Sequence, residues 1–101
     1  MPYSQAKNTL FADRVRTIVR GIKKGTVLSY GEVAMLAGSA YASRAVGSVM
    51  KNNYDKTVPC HRVIRADGIV GDYNRGGKEK KMKLLKSEGV KFTKSGKIVF
   101  I

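Results

Sequence analysis

Between Asn8 and Lys51 apolar residues recur at helical spacing in three separate stretches, and this limits the possible folds more than any other feature. In the first, Phe11, Val15, Ile18, Val19 and Ile22 fall at i, i+4, i+7, i+8 and i+11, one apolar stripe on a helix. Asn8 or Thr9 can cap its start and Gly21 or Gly25 its end, while residues 1–7 carry no period and read as a short arm. Arg14, Arg16 and Arg20 are expected on its solvated face. The second opens at Ser29-Tyr30-Gly31-Glu32, where the hydroxyl and the carboxylate can each satisfy a free backbone N–H. It runs through Val33, Ala34, Leu36 and Ala37 to a stop at Gly38. A third helix is expected from Ala42 to Lys51, and the tight connection between the two short helices predicts a helix-turn-helix.

The third helix has an unusual composition. Ala42, Ser43, Ala45, Gly47 and Ser48 are all small, and a glycine inside a helix costs roughly 1 kcal/mol relative to alanine. Such a face lets the helix sit shallowly on the roughly 6 Å minor groove of B-DNA, with Arg44 projecting as a long cation. The plainer reading is close packing against the core through Val46, Val49 and Met50, and both can hold on opposite faces.

Downstream, Asn52-Asn53 reads as a turn. Asp67-Gly68 between Val63-Ile64 and Ile69-Val70 is a two-residue hairpin signal. Residues 72–77 form a loop, and a basic helix follows from Lys78 to Glu88, buried through Met82 and Leu85 and ended by Gly89. Most of its lysines, at 78, 80, 81, 83 and 86, are expected to supply long-range steering charge. Val90 to Ile101 reads as a final hairpin around Ser95-Gly96. The expected fold class is therefore mostly α with short β-hairpins around a helix-turn-helix, in one domain over 1–101.

Twenty Lys and Arg against seven acidic residues give a formal charge of +13 on 101 residues. A field of that sign steers the chain toward polyanions, with nucleic acid the default partner. Membrane binding is disfavoured, because the basic segments lack a bulky apolar face with interfacial Trp. Nowhere do 18 apolar residues run together, and no signal peptide is visible. One cysteine cannot form an internal disulfide, which fits an intracellular protein, cytoplasmic or, in a eukaryote, nuclear. Zinc-ligand spacing, phosphate-binding loops and dinucleotide fingerprints are missing, so neither a metal nor a cofactor is expected. The protein is expected to act as a monomer.

The lone cysteine and the lone histidine adjoin, in Val58-Pro59-Cys60-His61-Arg62-Val63-Ile64. A thiol reacts as its thiolate, and an imidazole can take its proton directly or through a water. Neighbours in a strand point to opposite faces, so direct contact needs an irregular backbone, which Pro59 helps supply. A water-bridged pair is the simpler geometry. The plainer alternative is a small buried hydrophobe beside a satisfied surface histidine.

Pro59-Cys60-His61-Arg62-Val63-Ile64, preceded by the Ser29-Tyr30-Gly31-Glu32 helix start and Arg44-Ala45-Val46-Gly47, closely resembles the O6-alkylguanine-DNA alkyltransferases, over roughly Phe11 to Gly89. The resemblance implies the winged-helix-like alkyltransferase C-terminal domain. It also implies a function: flipping an O6-alkylated guanine, or an O4-alkylated thymine, out of duplex DNA and moving the alkyl group irreversibly onto the cysteine. Cys60 then resembles the alkyl acceptor, His61 the base acting through a water, Glu88 the carboxylate that orients the histidine, and Asn53 the brace of the active-site turn. Tyr30 resembles the tyrosine that crowds the target phosphate, Tyr73 the pocket tyrosine near the guanine oxygen, and Arg44 the arginine that enters the stack. Val70 and Gly71 are expected to line the substrate pocket, and Ala42, Ser43, Gly47, Ser48 and Arg62 to contact DNA. The loop Tyr73-Asn74-Arg75-Gly76-Gly77 departs from the family, where a small residue directly before the glycine pair is common. Alkyltransferase-like proteins share the scaffold, bind alkylated DNA without repairing it and carry another residue at the cysteine position. A basic helix-turn-helix regulator is the third reading, and it predicts a preferred DNA sequence and indifference to Cys60→Ser.

Overall fold

The computed structural model describes residues 3–99. Helix α1 (Tyr3–Arg20) is longer than its stripe predicts. Residues 3–7 are helical rather than an arm, and Asn8 and Thr9 lie inside the helix rather than capping it. Gln5, Ala6 and Lys7 are good helix formers with no glycine or proline among them, so the turn propagates without needing an apolar face. Residues 1 and 2 lie outside the described residues.

Strand β1 (Leu28–Ser29) leads directly into α2 (Tyr30–Leu36). The predicted capping box is present: Glu32 N donates to Ser29 Oγ and Ser29 N to Glu32 Oε1, both at 3.0 Å. At the other end Ser39 N reaches Ala34 O at 2.9 Å and Gly38 N reaches Met35 O at 3.0 Å around a left-handed Gly38. Helix α3 (Ser43–Lys51) follows after a turn and packs on α2. Arg14 of α1 donates to the terminal carbonyl of Ala37 at 3.2 Å, so it ties α1 to α2 rather than standing free in solvent.

Val63 and Ile64 form β2, which pairs with β1 in parallel, Leu28 opposite Val63 and Ser29 opposite Ile64. The sequence suggested a hairpin with Ile69-Val70 instead. Both β2 side chains are buried, Val63 in a core built from α1, α2 and α3 and Ile64 in a second core with Val70, Leu85, Val90 and Ile98. A strand buried on both faces is characteristic of parallel pairing. What remains of the hairpin is a turn, with Gly68 N bonded to Arg65 O at 3.1 Å and Arg65 N to Ile69 O at 2.9 Å.

Helix α4 (Gly77–Ser87) ends in the same motif as α2: Val90 N bonds to Leu85 O and Gly89 N to Lys86 O, both at 3.0 Å. Glu88 is thereby fixed at the C-cap. The closing hairpin reduces to one antiparallel bridge, Phe92 to Ile98, with the Ser95-Gly96 turn where expected. Phe100 and Ile101, part of that predicted tail, lie outside the described residues. The mostly helical class stands, with a two-stranded sheet in place of the first hairpin.

Candidate active site and nucleic-acid face

Pro59 adopts φ −77° and ψ 73°, the inverse γ-turn, and Cys60 N bonds across it to Val58 O at 2.8 Å. Cys60–Arg62 then form one 3₁₀ turn, closed by Arg62 N to Pro59 O at 2.9 Å. This is the irregular backbone the proline foreshadowed. Successive side chains in such a turn diverge by about 120°, so Cys60 and His61 enter different surroundings.

Cys60 is 6% exposed and belongs to the first core. Its Sγ accepts the Nδ2 hydrogen of Asn53 at 2.9 Å. Asn53 is itself buried, and its carbonyl accepts from Asn74 Nδ2 at 2.9 Å, which also donates to Lys51 O at 2.7 Å. The pocket loop is thus fastened to the end of α3 through Asn74, a residue that nothing local in the sequence distinguishes from the rest of the loop.

His61 turns toward α4. Its Nε2 lies 2.9 Å from Glu88 Oε2, and Arg62 grips the same carboxylate bidentately, Nε to Oε1 at 2.9 Å and Nη2 to Oε2 at 2.8 Å. A carboxylate at a helix C-terminus opposes the helix dipole. Here the Arg62 guanidinium above all, and then His61, overcome that and the effect of burial, holding the Glu88 carboxyl down at about 2. An ionised carboxylate can only accept, so Nε2 carries a proton, and in the neutral imidazole Nδ1 is the nitrogen with the free lone pair. Arg62 donates once more to Ile22 O at 2.7 Å. With only 16% of its side chain exposed, it braces the site from inside, which corrects its expected place among the DNA contacts.

A cavity of about 810 Å³ opens over Cys60, within the usual range for ligand sites. Tyr30, Tyr73 and Gly71 line it, together with Gly47, Ser48 and Lys51 of α3. Val70 does not; its side chain is fully buried in the second core, contrary to its assignment to the pocket. Arg44, Gly47, Ser48 and Lys51 follow i, i+3, i+4 and i+7, so the cavity mouth and Arg44 share one helix face. Ala42 lies partly buried before that helix, while Ser43, Arg44 and Ser48 are exposed. Apart from its own helix backbone and chain neighbours, a Cβ on Gly47 would meet no protein atom within 4 Å, so internal packing does not require the glycine.

Lys81 is the main surprise. Expected to steer from the surface, it is 1% exposed, with Nζ donating to Tyr30 Oη at 3.3 Å and to Asp72 O at 3.2 Å. Burial lowers its pKa to about 8, and burial likewise raises that of Tyr30. The signal was its position four residues before Leu85, on the buried stripe of α4. Tyr73 meets His61 edge-on at 6.5 Å, and burial raises its pKa against the pull of the Arg75 charge. Among the described residues no helix is long and apolar enough to cross a membrane, and no three His, Cys, Asp or Glu side chains cluster as metal ligands do.

Comparison with known proteins agrees with this architecture. Residues 10–90 match the family model for the 6-O-methylguanine DNA methyltransferase, DNA binding domain. A methylated-DNA–protein-cysteine methyltransferase of Rattus norvegicus is 45% identical over 74 residues, 72% of this chain and 35% of the relative. That of Methanothermobacter thermautotrophicus is 44% identical over 82 residues, 81% of this chain and 46% of the relative. The chain thus spans between about a third and a half of the length of these relatives. Among solved structures, S. pombe Atl1 in complex with damaged DNA containing O6-carboxymethylguanine superposes with a TM-score of 0.75 at 30% identity, covering 100% of this chain and 93% of Atl1. Mycobacterium tuberculosis OGT in complex with DNA gives 0.74 at 41% identity, over 78% of this chain and 48% of that one. With four fifths of its length inside the family model, the chain belongs to the 6-O-methylguanine DNA methyltransferase DNA-binding-domain family.

Proposed function

We propose that this chain repairs duplex DNA by moving the alkyl group of O6-alkylguanine onto Cys60 Sγ, once per molecule. The observation that carries the reading is the placement of one cysteine sulfur on the wall of a cavity with ample room for a base, next in sequence to a histidine whose proton-bearing nitrogen is fixed by Glu88. Helix α3 would lay its small face on the groove, where Gly47 leaves room for a backbone or sugar. Arg44 would occupy the stack vacated by the flipped base, offsetting part of the few kcal/mol that flipping costs. The excess positive charge would add affinity for DNA of any sequence.

His61 Nδ1, on the other side of the turn, takes the thiol proton through a water, and in the cavity the sulfur attacks the alkyl carbon. The C–O6 bond breaks as the S–C bond forms, and its electron pair leaves with the guanine. Tyr73 and Tyr30, the latter backed by Lys81, are the hydroxyl donors placed to meet that negative charge. A thioether has no acidic proton to lose and is a poor leaving group, so Cys60 is not regenerated.

The test is intact-mass spectrometry after mixing the protein with a duplex holding one O6-methylguanine. A stoichiometric methyl increment mapped to Cys60, absent in Cys60→Ser, is expected. The similarity to Atl1 over nearly the whole of both chains favours a second reading, lesion binding without transfer. Tight binding to the lesion with no increment would establish that one instead.

A further inference from the structure

Helices α2 and α4 each close on a left-handed glycine, Gly38 and Gly89, but α3 does not. It ends at Asn52 with φ −96° and ψ 8°, and the next left-handed residue in the chain is Gly68. The last carbonyls of a helix have no partner within it, so something else must meet them. Here the partner comes from the pocket loop, 23 residues after Lys51. Asn74 Nδ2 donates to Lys51 O at 2.7 Å and to Asn53 O at 2.9 Å, with Met50 O at 3.5 Å from the same nitrogen. Among the described residues no other hydrogen bond reaches Lys51 O or Asn53 O. Three carbonyls around one nitrogen fix which end of the amide points inward. Although Asn74 also lines the cavity over Cys60, both hydrogens of its amide are therefore taken up by the protein. The line of contacts continues to the sulfur. Asn53 is 3% exposed, and its own amide donates to Cys60 Sγ at 2.9 Å and to Asp55 O at 3.2 Å. Tyr73, the residue before Asn74, stands on the wall of the same cavity. Sulfur and pocket loop are thus held to a common point, the end of α3.

We propose that Asn74 is a positioning residue for alkyl transfer, acting through Asn53 to hold the Cys60 sulfur in line with a base in the cavity. The inference rests on the alkyl-transfer reading and adds a residue to its machinery. Asn74 makes no contact with the sulfur itself, so its effect depends on the Asn53 amide to transmit it. Without the clamp Asn53 shifts and the sulfur with it, and a drift of about 1 Å between reacting groups can cost about a hundredfold in rate.

The experiment follows single-turnover methyl transfer from an O6-methylguanine duplex, at a series of duplex concentrations, in a double-mutant cycle of Asn74→Ala and Asn53→Ala. Asn74→Ala alone should lower the rate constant at saturating duplex at least about tenfold. The half-saturating concentration should change by less than about twofold, because no charge is lost. In the Asn53→Ala background the same substitution should slow transfer by less than about twofold, since the relay is already cut. Asn74→Ser, with one donor on a shorter arm, should fall between the parent and Asn74→Ala, and serves if the alanine variant does not fold. Equal slowing in both backgrounds would mean that Asn74 meets the substrate directly or only braces the loop, and would overturn the proposal. So would a parental rate constant in the folded Asn74 variant, whether all of the protein reacts or only part of it. Absence of methyl transfer in the unaltered protein would be a different failure, that of the alkyl-transfer reading itself, and this inference would fall with it.

Discussion

The charged side chains of this molecule fall into two groups that behave in opposite ways. In the cluster of Arg62, Glu88 and His61 every charge is answered by another within 3 Å, behind surfaces that are nearly closed to water. On the outer face of α3, Arg44 and Lys51 are exposed and have no ion-pair partner among the described residues. The first group builds the site and is electrically closed. The second is left for a polyanion. Net charge alone cannot separate the two, because Arg62 and Arg44 count equally toward +13.

The harshest way to break the first group is Glu88→Gln, which keeps the shape and removes the charge. Arg62 is then left largely buried without its counterion, and stability should fall by about 3 kcal/mol in a denaturant titration. Single-turnover transfer should slow at least about tenfold as His61 loses its orienting partner. The same cluster can be opened with acid. Glu88 titrates at about 2 in the folded chain and at about 4.3 when unfolded. Its contribution is therefore complete above about pH 4.3 and lost as pH falls through 2. The stability gap between the parent and Glu88→Gln should close over that window; a gap constant from pH 6 to pH 2 would count against the assignment.

Lys81→Met sharpens the contrast, since Lys81 is a buried cation with only neutral acceptors. Removing the charge should raise stability by about 1–2 kcal/mol at neutral pH while slowing transfer. The folded lysine titrates at about 8, below its unfolded value near 10.4. Its penalty is thus full below pH 8 and fades as pH rises toward 10.4, where the two proteins should converge.

On the α3 face the expected stability effects are smaller and differ in sign. Gly47→Ala should stabilise by roughly 0.5–1 kcal/mol, because the new methyl meets nothing in the protein beyond its own helix and chain neighbours. It should nonetheless weaken binding to lesion-bearing duplex in a fluorescence titration. Arg44→Ala should move stability by less than about 0.5 kcal/mol. If Arg44 lies against a phosphate in the complex, the slope of log affinity against log salt should also drop by about 1. A stability loss above that level would place Arg44 in the first group after all.

Local rules carried the reading wherever the cause was local. The Ser29/Glu32 box, the stop at Gly38 and the Pro59 irregularity are each set by residues within a few positions of one another, and each stands as read. Contacts between distant residues leave no such local trace. Val63 and Ile64 have hairpin-like neighbours, yet they pair with residues 35 positions earlier because each must bury into a different core. Lys81 looked like one of several surface lysines, since nothing in a single sequence says that Tyr30 and the Asp72 carbonyl will meet it. Glu88 was legible only through family resemblance; by composition it is one acidic residue at the end of a basic helix.

The contact between His61 and Glu88 spans 27 residues, with the carboxylate on the later side. A ribosome adds roughly 5–20 residues each second. For one to several seconds of every synthesis, then, the nascent chain holds its sulfur and imidazole but not the acid that sets the imidazole's tautomer. The site acquires its working order from the C-terminal side, after the helices that would read DNA have already been made.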